Sequence, residues 1–212
     1  MLKRSKNVLN PDDPGWGVFL VTGVPAVGKT TLANKLAERI SPLEVITFRE
    51  LILTIKAADR PITHSELRRH PTREATMSTI KKAVELLISR VNELRARTNV
   101  LIDSHAVAKD EYGFRVSPDN ISVLNRIGLR AIFVLHGDHN TIIRRLKSDP
   151  SGRRLVTKAE ISVHERLQDS VAISYAVASG CPVFFVNATE LDVSIDNILK
   201  ILDSLGVSYT RA

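Results

Sequence analysis

The chain has 212 residues, enough for one domain of ordinary size, and its 43% hydrophobic and 25% charged residues are those of a globular protein. The apolar runs, of which 131–135 is among the longest, fall far short of a membrane span, and residues 1–7 lack the apolar core of a signal peptide, so the expected location is the cytoplasm. One cysteine, Cys181, excludes an internal disulfide and a cysteine-based zinc site, while a formal charge of +7 fits either nucleic acid or a cleft that holds polyphosphates.

Residues 1–16 are basic, then rich in Asn, Pro, Asp and Gly, and read as a flexible arm with a turn; Trp16 reads as a packing residue. The apolar run Val18 to Val21 is a first strand. Directly after it, GVPAVGKT from Gly23 to Thr30 spells G-x-x-x-x-G-K-[ST], and Leu32, Leu36 and Ile40 follow at helical spacing, closed by Ser41 and Pro42. The glycines let backbone N–H groups curl around a phosphate, and the helix N-terminus adds partial positive charge. Lys29 then reaches the outer phosphates and the Thr30 hydroxyl holds magnesium. The strand-loop-helix surroundings argue against a chance match.

A second strand is expected from Leu43 to Phe48, a helix through Leu51 and Ile55, a turn at 59–61 and a short helix near Ser65 to Arg69. The longest helix is predicted over about Thr72 to Arg97, with Met77, Ile80, Val84, Leu87, Val91 and Leu94 forming an apolar stripe against the sheet. Val100 to Ile102 is a buried strand ending in Asp103. Ser117, Pro118 and Asp119 supply a helix start. A strand at Leu129 to Leu135, a helix capped by Asp138 to about Ser148, and a capping box at Thr157 and Glu160 opening a helix to Ser179 come next. Pro182 to Val186 is the fifth strand and Val193 to Leu205 the last helix. Five strands alternating with helices predict a parallel α/β sheet covered on both faces, with ligands at the carboxyl ends of the strands.

That placement makes Asp103 the natural partner of Thr30 in holding magnesium; the alternative is that Asp103 only caps the turn before His105. His105 lies on the crevice side, where a structural hydrogen bond also suits it. Arg115 sits in a loop that can reach an acceptor phosphate. His136 and His139 are three apart but lack a third metal ligand, and Cys181 reads as a small packed side chain. The arginine pairs at 68–69, 144–145 and 153–154 are scattered without the aromatic pattern of an RNA-binding module, which favours the polyphosphate cleft.

The segments 21–31, 102–106 and 143–146, with His164, Tyr175 and Gly180, resemble the archaeal-type adenylate kinases and their adenylate-kinase-like ATPase relatives over nearly all of 18–187. The resemblance implies a three-layer P-loop NTPase fold of the nucleoside monophosphate kinase type, with sheet order 2-3-1-4-5, using ATP and magnesium, with AMP as the expected acceptor. It implies that Gly23, Pro25, Ala26, Val27, Gly28, Lys29, Thr30 and Thr31 hold ATP, with Arg145 and the loop from Asn187 flanking the adenine. The acceptor segment would be Phe48 to about Arg73, with Arg68 on the acceptor phosphate and Phe48, His105 and Arg115 beside it. The lid would be Asp149 to Val156, and Lys29, Asp103 and Arg153 would carry the chemistry. A small homo-oligomer is also implied. Two features depart from the family pattern: the lid reads Ser151, Gly152, Arg153, Arg154, and Glu165, Gln168 and Asp169 stand where Gln, Asn and Arg are usual. An acid at 169 removes an expected phosphate-binding cation. Two alternatives therefore stay open, a regulatory ATPase acting with a protein or RNA and a P-loop kinase of a small-metabolite hydroxyl.

Overall fold

The computed structural model describes residues 15–109, 113–116, 120–149 and 156–211. The expected basic arm, the helix start at 117–119 and most of the lid, Arg153 included, lie outside the described residues. The strands are β1 (Val18–Gly23), β2 (Ile40–Ser41), β3 (Leu43–Thr47), β4 (Asn99–Asp103), β5 (Ala108–Lys109), β6 (Phe114–Arg115), β7 (Leu129–His136), β8 (Val183–Asn187) and β9 (Thr210–Arg211). The helices are α1 (Lys29–Arg39), α2 (Phe48–Ala57), α3 (His64–Arg69), α4 (Pro71–Glu74), α5 (Met77–Leu94), α6 (Asn120–Ile127), α7 (His139–Lys147), α8 (Lys158–Ser179) and α9 (Leu191–Ser204).

The five long strands form one parallel sheet in the order β3-β4-β1-β7-β8, which is 2-3-1-4-5 when only those strands are counted. Central β1 is buried along its whole length. Because side chains alternate across a strand, each strand feeds two cores. Val18, Leu20, Val100, Ile102, Ile132 and Val134 pack under α2, α5, α6 and α8. Phe19, Val21, Leu101, Ala131, Phe133 and Leu135 pack under α1, α7 and α9. The register aligns Thr47 with Asp103, Asp103 with Val21, Gly23 with Leu135 and His136 with Asn187, so the carboxyl ends of all five strands open on one edge. Two short antiparallel pairs, β2 with β9 and β5 with β6, tie down the periphery.

Local chemistry explains the helix limits. Asp138 accepts from the Thr141 amide at 2.7 Å, and reciprocal capping boxes open α3 at Thr63 with Glu66 and α8 at Thr157 with Glu160. Gly180 ends α8 in the left-handed region at φ 64°. The sequence reading needs correction over 72–97, where the expected long helix is two. Its break at residues 75–76 lets the Thr76 hydroxyl cap α5 by accepting from the Thr79 amide, and the 22-residue α8 is the longest helix described. Starting α5 there changes the buried stripe: Ala83, Leu87, Ile88 and Val91 face inward, whereas Met77 is 53% exposed.

Candidate functional site

The turn from Gly23 to Lys29 is shaped by three residues with positive φ, namely Gly23 at 145°, Ala26 at 64° and Gly28 at 118°. A Cβ at Gly23 would lie 2.7 Å from the Leu135 carbonyl oxygen, so the residue at the end of β1 must be glycine for the loop to pack on β7. Ala26 is the sole non-glycine residue described in the left-handed region, a cost of order 1 kcal/mol held by the surrounding loop. Gly28 brings no side chain to cap α1, and a helix N-terminus of this kind favours an anion. Buried Lys29 folds back on the loop, its Nζ donating to the carbonyls of Gly23 at 2.9 Å and Val24 at 3.1 Å. From α7, Arg145 Nη1 donates to the carbonyls of Ala26 and Val27 at 3.1 and 2.9 Å, which places it against the outer rim of the loop.

Thr30 and Asp103 meet at the carboxyl edge, the Thr30 hydroxyl donating to Asp103 Oδ2 at 2.5 Å. A hydroxyl and a buried carboxylate in contact at the mouth of a phosphate loop are the hard oxygen donors that magnesium selects, and the two residues fit that ion. Behind them, Gln168 fixes the 104–107 segment: Oε1 accepts from Thr22 Oγ1 and the Val107 amide, while Nε2 donates to the Val107 carbonyl at 2.8 Å. Thr22 Oγ1 in turn accepts from the Ala106 amide, and His164 Nε2 donates to the Val107 carbonyl. His105 Nδ1 donates to the Gly23 carbonyl at 2.9 Å. Burial first, then the neighbouring Lys29 ammonium, holds the His105 pKa well below its ordinary value, so the ring is neutral and Nε2 keeps its lone pair. His105 is half-buried and lines the cavity beside the loop.

That cavity, of about 430 Å³, lies beside the loop. It brings together Phe48, Arg68, His105 and Arg115, the residues expected around the acceptor, with Thr47, Asp103 and an apolar wall of Ile52, Leu67, Ile80 and Val84. Arg49 also lines it and is absent from the sequence expectations. Its signal was available: a cation in the first turn of a helix opposes the macrodipole and calls for a reason. Burial above all, and next the nearby Arg68, lower the Arg49 pKa, with Asp103 opposing them. Lys109 lines the cavity too, held by Glu160 at 2.6 Å and lying over the Phe114 ring. Asn187 lies elsewhere, on a separate cavity with His136, Asp138 and Phe185, where its side chain accepts from the Thr189 amide and hydroxyl.

The two acids that depart from the family pattern have histidine partners. His136 Nε2 contacts Asp169 Oδ1 at 2.7 Å, and His139 Nε2 contacts Glu165 Oε2 at 2.6 Å. Among the described residues no group of three or more His, Cys, Asp or Glu side chains is arranged to hold a metal ion, and no helix is long and apolar enough to cross a membrane.

Residues 22–162 match the model of a family described as AAA domain, a span that contains the loop, the Thr30 and Asp103 contact and the acceptor-side cavity. The chain belongs to the AAA domain family. Curated relatives include the adenylate kinase of Pyrococcus furiosus, 26% identical over 195 residues that cover 88% of this chain and 95% of the relative. The adenylate kinase of Methanocaldococcus jannaschii is 24% identical over 193 residues, covering 87% and 97%. Solved structures of the same fold include a gluconokinase from Sinorhizobium meliloti 1021, with TM-score 0.52, 15% identity and coverage of 90% and 93%. A tunicamycin resistance protein of Deinococcus radiodurans aligns with TM-score 0.56, 15% identity and coverage of 92% and 98%. This AAA domain protein therefore has the P-loop kinase form of the α/β fold and is a phosphotransferase.

Proposed function

We propose that the protein transfers the terminal phosphoryl group of Mg·ATP to a nucleoside monophosphate, AMP in the first instance, giving two nucleoside diphosphates. The observation that carries this reading is the Thr30 to Asp103 contact, which lies between the phosphate loop and an arginine-lined cavity large enough for an acceptor. The amides of the loop and α1 would bind the donor phosphates, and Lys29 would leave its two carbonyl partners to neutralise the outer ones. Magnesium held by Thr30 and Asp103 would neutralise charge on the donor phosphates. Arg68 would meet the acceptor phosphate, His105 would border the transfer path through its neutral ring, and Arg145 and the loop from Asn187 would flank the adenine. Arg153, on the lid, would close over the transferring group.

A phosphate acceptor is already ionised near neutral pH and needs no general base. That agrees with an Asp103 occupied by the Thr30 hydroxyl and with a neutral His105, and it favours a phosphate over a metabolite hydroxyl. The engagement of Asp169 by His136 favours a second reading, an ATPase whose open and closed states a partner reads, because it leaves no cation at 169. Incubation of the protein with Mg·ATP and each monophosphate in turn, followed by separation of the products, tests the kinase. Diphosphate formed with AMP supports it, and none above background with any acceptor contradicts it.

A further inference from the structure

Among the described residues three Lys, Arg, Asp or Glu side chains are buried, those of Lys29, Asp103 and Glu74. The first two face the phosphate loop and its magnesium site, while no step of the transfer uses the third. Glu74 ends α4 with its side chain 5% exposed and faces three cations. Its Oε2 accepts from Arg60 Nη2 at 2.9 Å and lies 3.4 Å from Lys56 Nζ in the last turn of α2, and its Oε1 lies 3.6 Å from Arg73 Nε. A buried carboxylate tied to cations adds little net stability over an apolar side chain of the same size; what it can add is a single geometry.

The geometry in question is that of one wall of the acceptor-side cavity. Arg60 and Glu74 are 14 positions apart, and the chain between them leaves and returns at their contact. That loop carries α3, whose Leu67 and Arg68, with Arg69, line the cavity. Within the loop α3 is a firm unit: the box of Thr63 and Glu66 opens it, the His70 amide donates to the Glu66 carbonyl, and the Glu74 amide donates to the His70 carbonyl. Two ion-pair ties join this unit to α2. One, between His64 and Glu50 at 3.4 Å, is exposed on both sides, and the other is the buried Glu74 cluster. Glu74 itself does not line the cavity, although its neighbour Ala75 does.

We propose that Glu74 is a positioning residue for the acceptor: by gripping Lys56 and Arg60 it fixes where α3 stands, and so sets the affinity of the cavity for a nucleoside monophosphate. The proposal rests on the nucleoside monophosphate reading and deepens it. A displacement of even an ångström at groups that orient a substrate weakens their hold on it.

The test uses the full chain with E74Q, E74D and K56M. At saturating Mg·ATP the KM for AMP should rise roughly 10-fold in E74Q and about threefold in K56M, the scale of a lost charge-assisted contact, with part of the loss recovered in E74D. The kcat and the KM for Mg·ATP should each stay within about twofold, because the donor side does not depend on this loop. Destabilisation alone would lower the active fraction, and with it kcat, while both KM values stayed in place. Hydrogen exchange should quicken about fivefold or more at 63–70 in E74Q, with β1 and α1 unchanged. K56M leaves the Arg60 contact intact and carries the same measurements if E74Q does not fold. An unchanged KM for AMP, a fall in kcat with both KM values constant, or unchanged exchange at 63–70 overturns the positioning role. Absence of diphosphate from the wild type with every monophosphate overturns the kinase reading instead, and quicker exchange at 63–70 in E74Q then leaves Glu74 as the tie that places this wall.

Discussion

Thr30 and Asp103 illustrate how much one contact can organise. A threonine hydroxyl at the start of α1 and a carboxylate at the end of β4 are 73 positions apart in the chain, yet the parallel pairing of β1 with β4 brings them to 2.5 Å. Replacing Asp103 by Asn keeps the volume and the hydrogen bond but removes the negative charge that suits a divalent cation. Phosphoryl transfer by Asp103→Asn should fall about 10²- to 10³-fold, with the magnesium requirement shifted to higher concentration while the fold is retained. Activity titrated against magnesium, with circular dichroism as control, checks it. Lys29→Ala should lose a comparable factor through the donor phosphates. Gly23, Gly28, Lys29 and Thr30 were legible in the sequence because their spacing is local and the backbone requirement is severe. Arg49 carried a signal, a cation in the first turn of a helix, but its place beside Arg68 appears only once α2 and α3 are packed together. The links of His136 to Asp169 and His139 to Glu165 were equally hidden, since each joins the end of β7 or the start of α7 to a helix more than twenty residues away.

The elements were legible to different degrees. Capping chemistry announced α7 and α8 from Asp138, Thr157 and Glu160, and alternating apolar runs announced the five long strands. The break before α5 escaped notice because the apolar spacing runs on through Met77, while the Thr76 hydroxyl offers the backbone a cap that periodicity does not register. The capping box of α8 gives a test at this scale. The Lys109 ammonium first, then the Thr157 amide, lower the Glu160 pKa to about 2. A carboxylate depressed in the folded state stabilises above its unfolded pKa, and that stabilisation is lost as pH falls through the folded value. Glu160→Gln should therefore be less stable than the wild type at neutral pH. The gap should narrow between about pH 4.5 and about pH 2, as read by urea unfolding across that range. Thr157→Ala should cost about 1 kcal/mol through the same box. Because Glu160 grips Lys109 on the hairpin of β5 and β6, either change should also loosen one wall of the acceptor cavity.

At the scale of the whole molecule, a parallel sheet covered on both faces followed from alternation of strands and helices and its strand order from the family resemblance, whereas the layout of the cavity followed from neither. It is assembled from α2, α3, α5, α6, α8, the loop after β4 and the pair of β5 with β6, and only tertiary packing decides which of their side chains share a space. Stability should reflect that assembly in two ways. Burial and the Lys29 ammonium depress the His105 pKa, and burial does the same to His164, so the folded protein resists protonation where the unfolded chain accepts it. A depressed histidine stabilises the fold above its ordinary pKa near 6.5, so stability should decline as pH falls below that value, and His105→Gln should flatten the decline in denaturant titrations. Mg·ATP should raise the unfolding free energy by about 2.7 kcal/mol at one hundred times its dissociation constant, an effect that Lys29→Ala reduces. The most direct test of the account is the fate of the terminal phosphate of ATP, followed by phosphorus magnetic resonance with and without AMP. The account requires that AMP divert the phosphoryl group, so that two ADP form for each ATP consumed with little free phosphate. Release of inorganic phosphate at the same rate whether or not any monophosphate is present would contradict it.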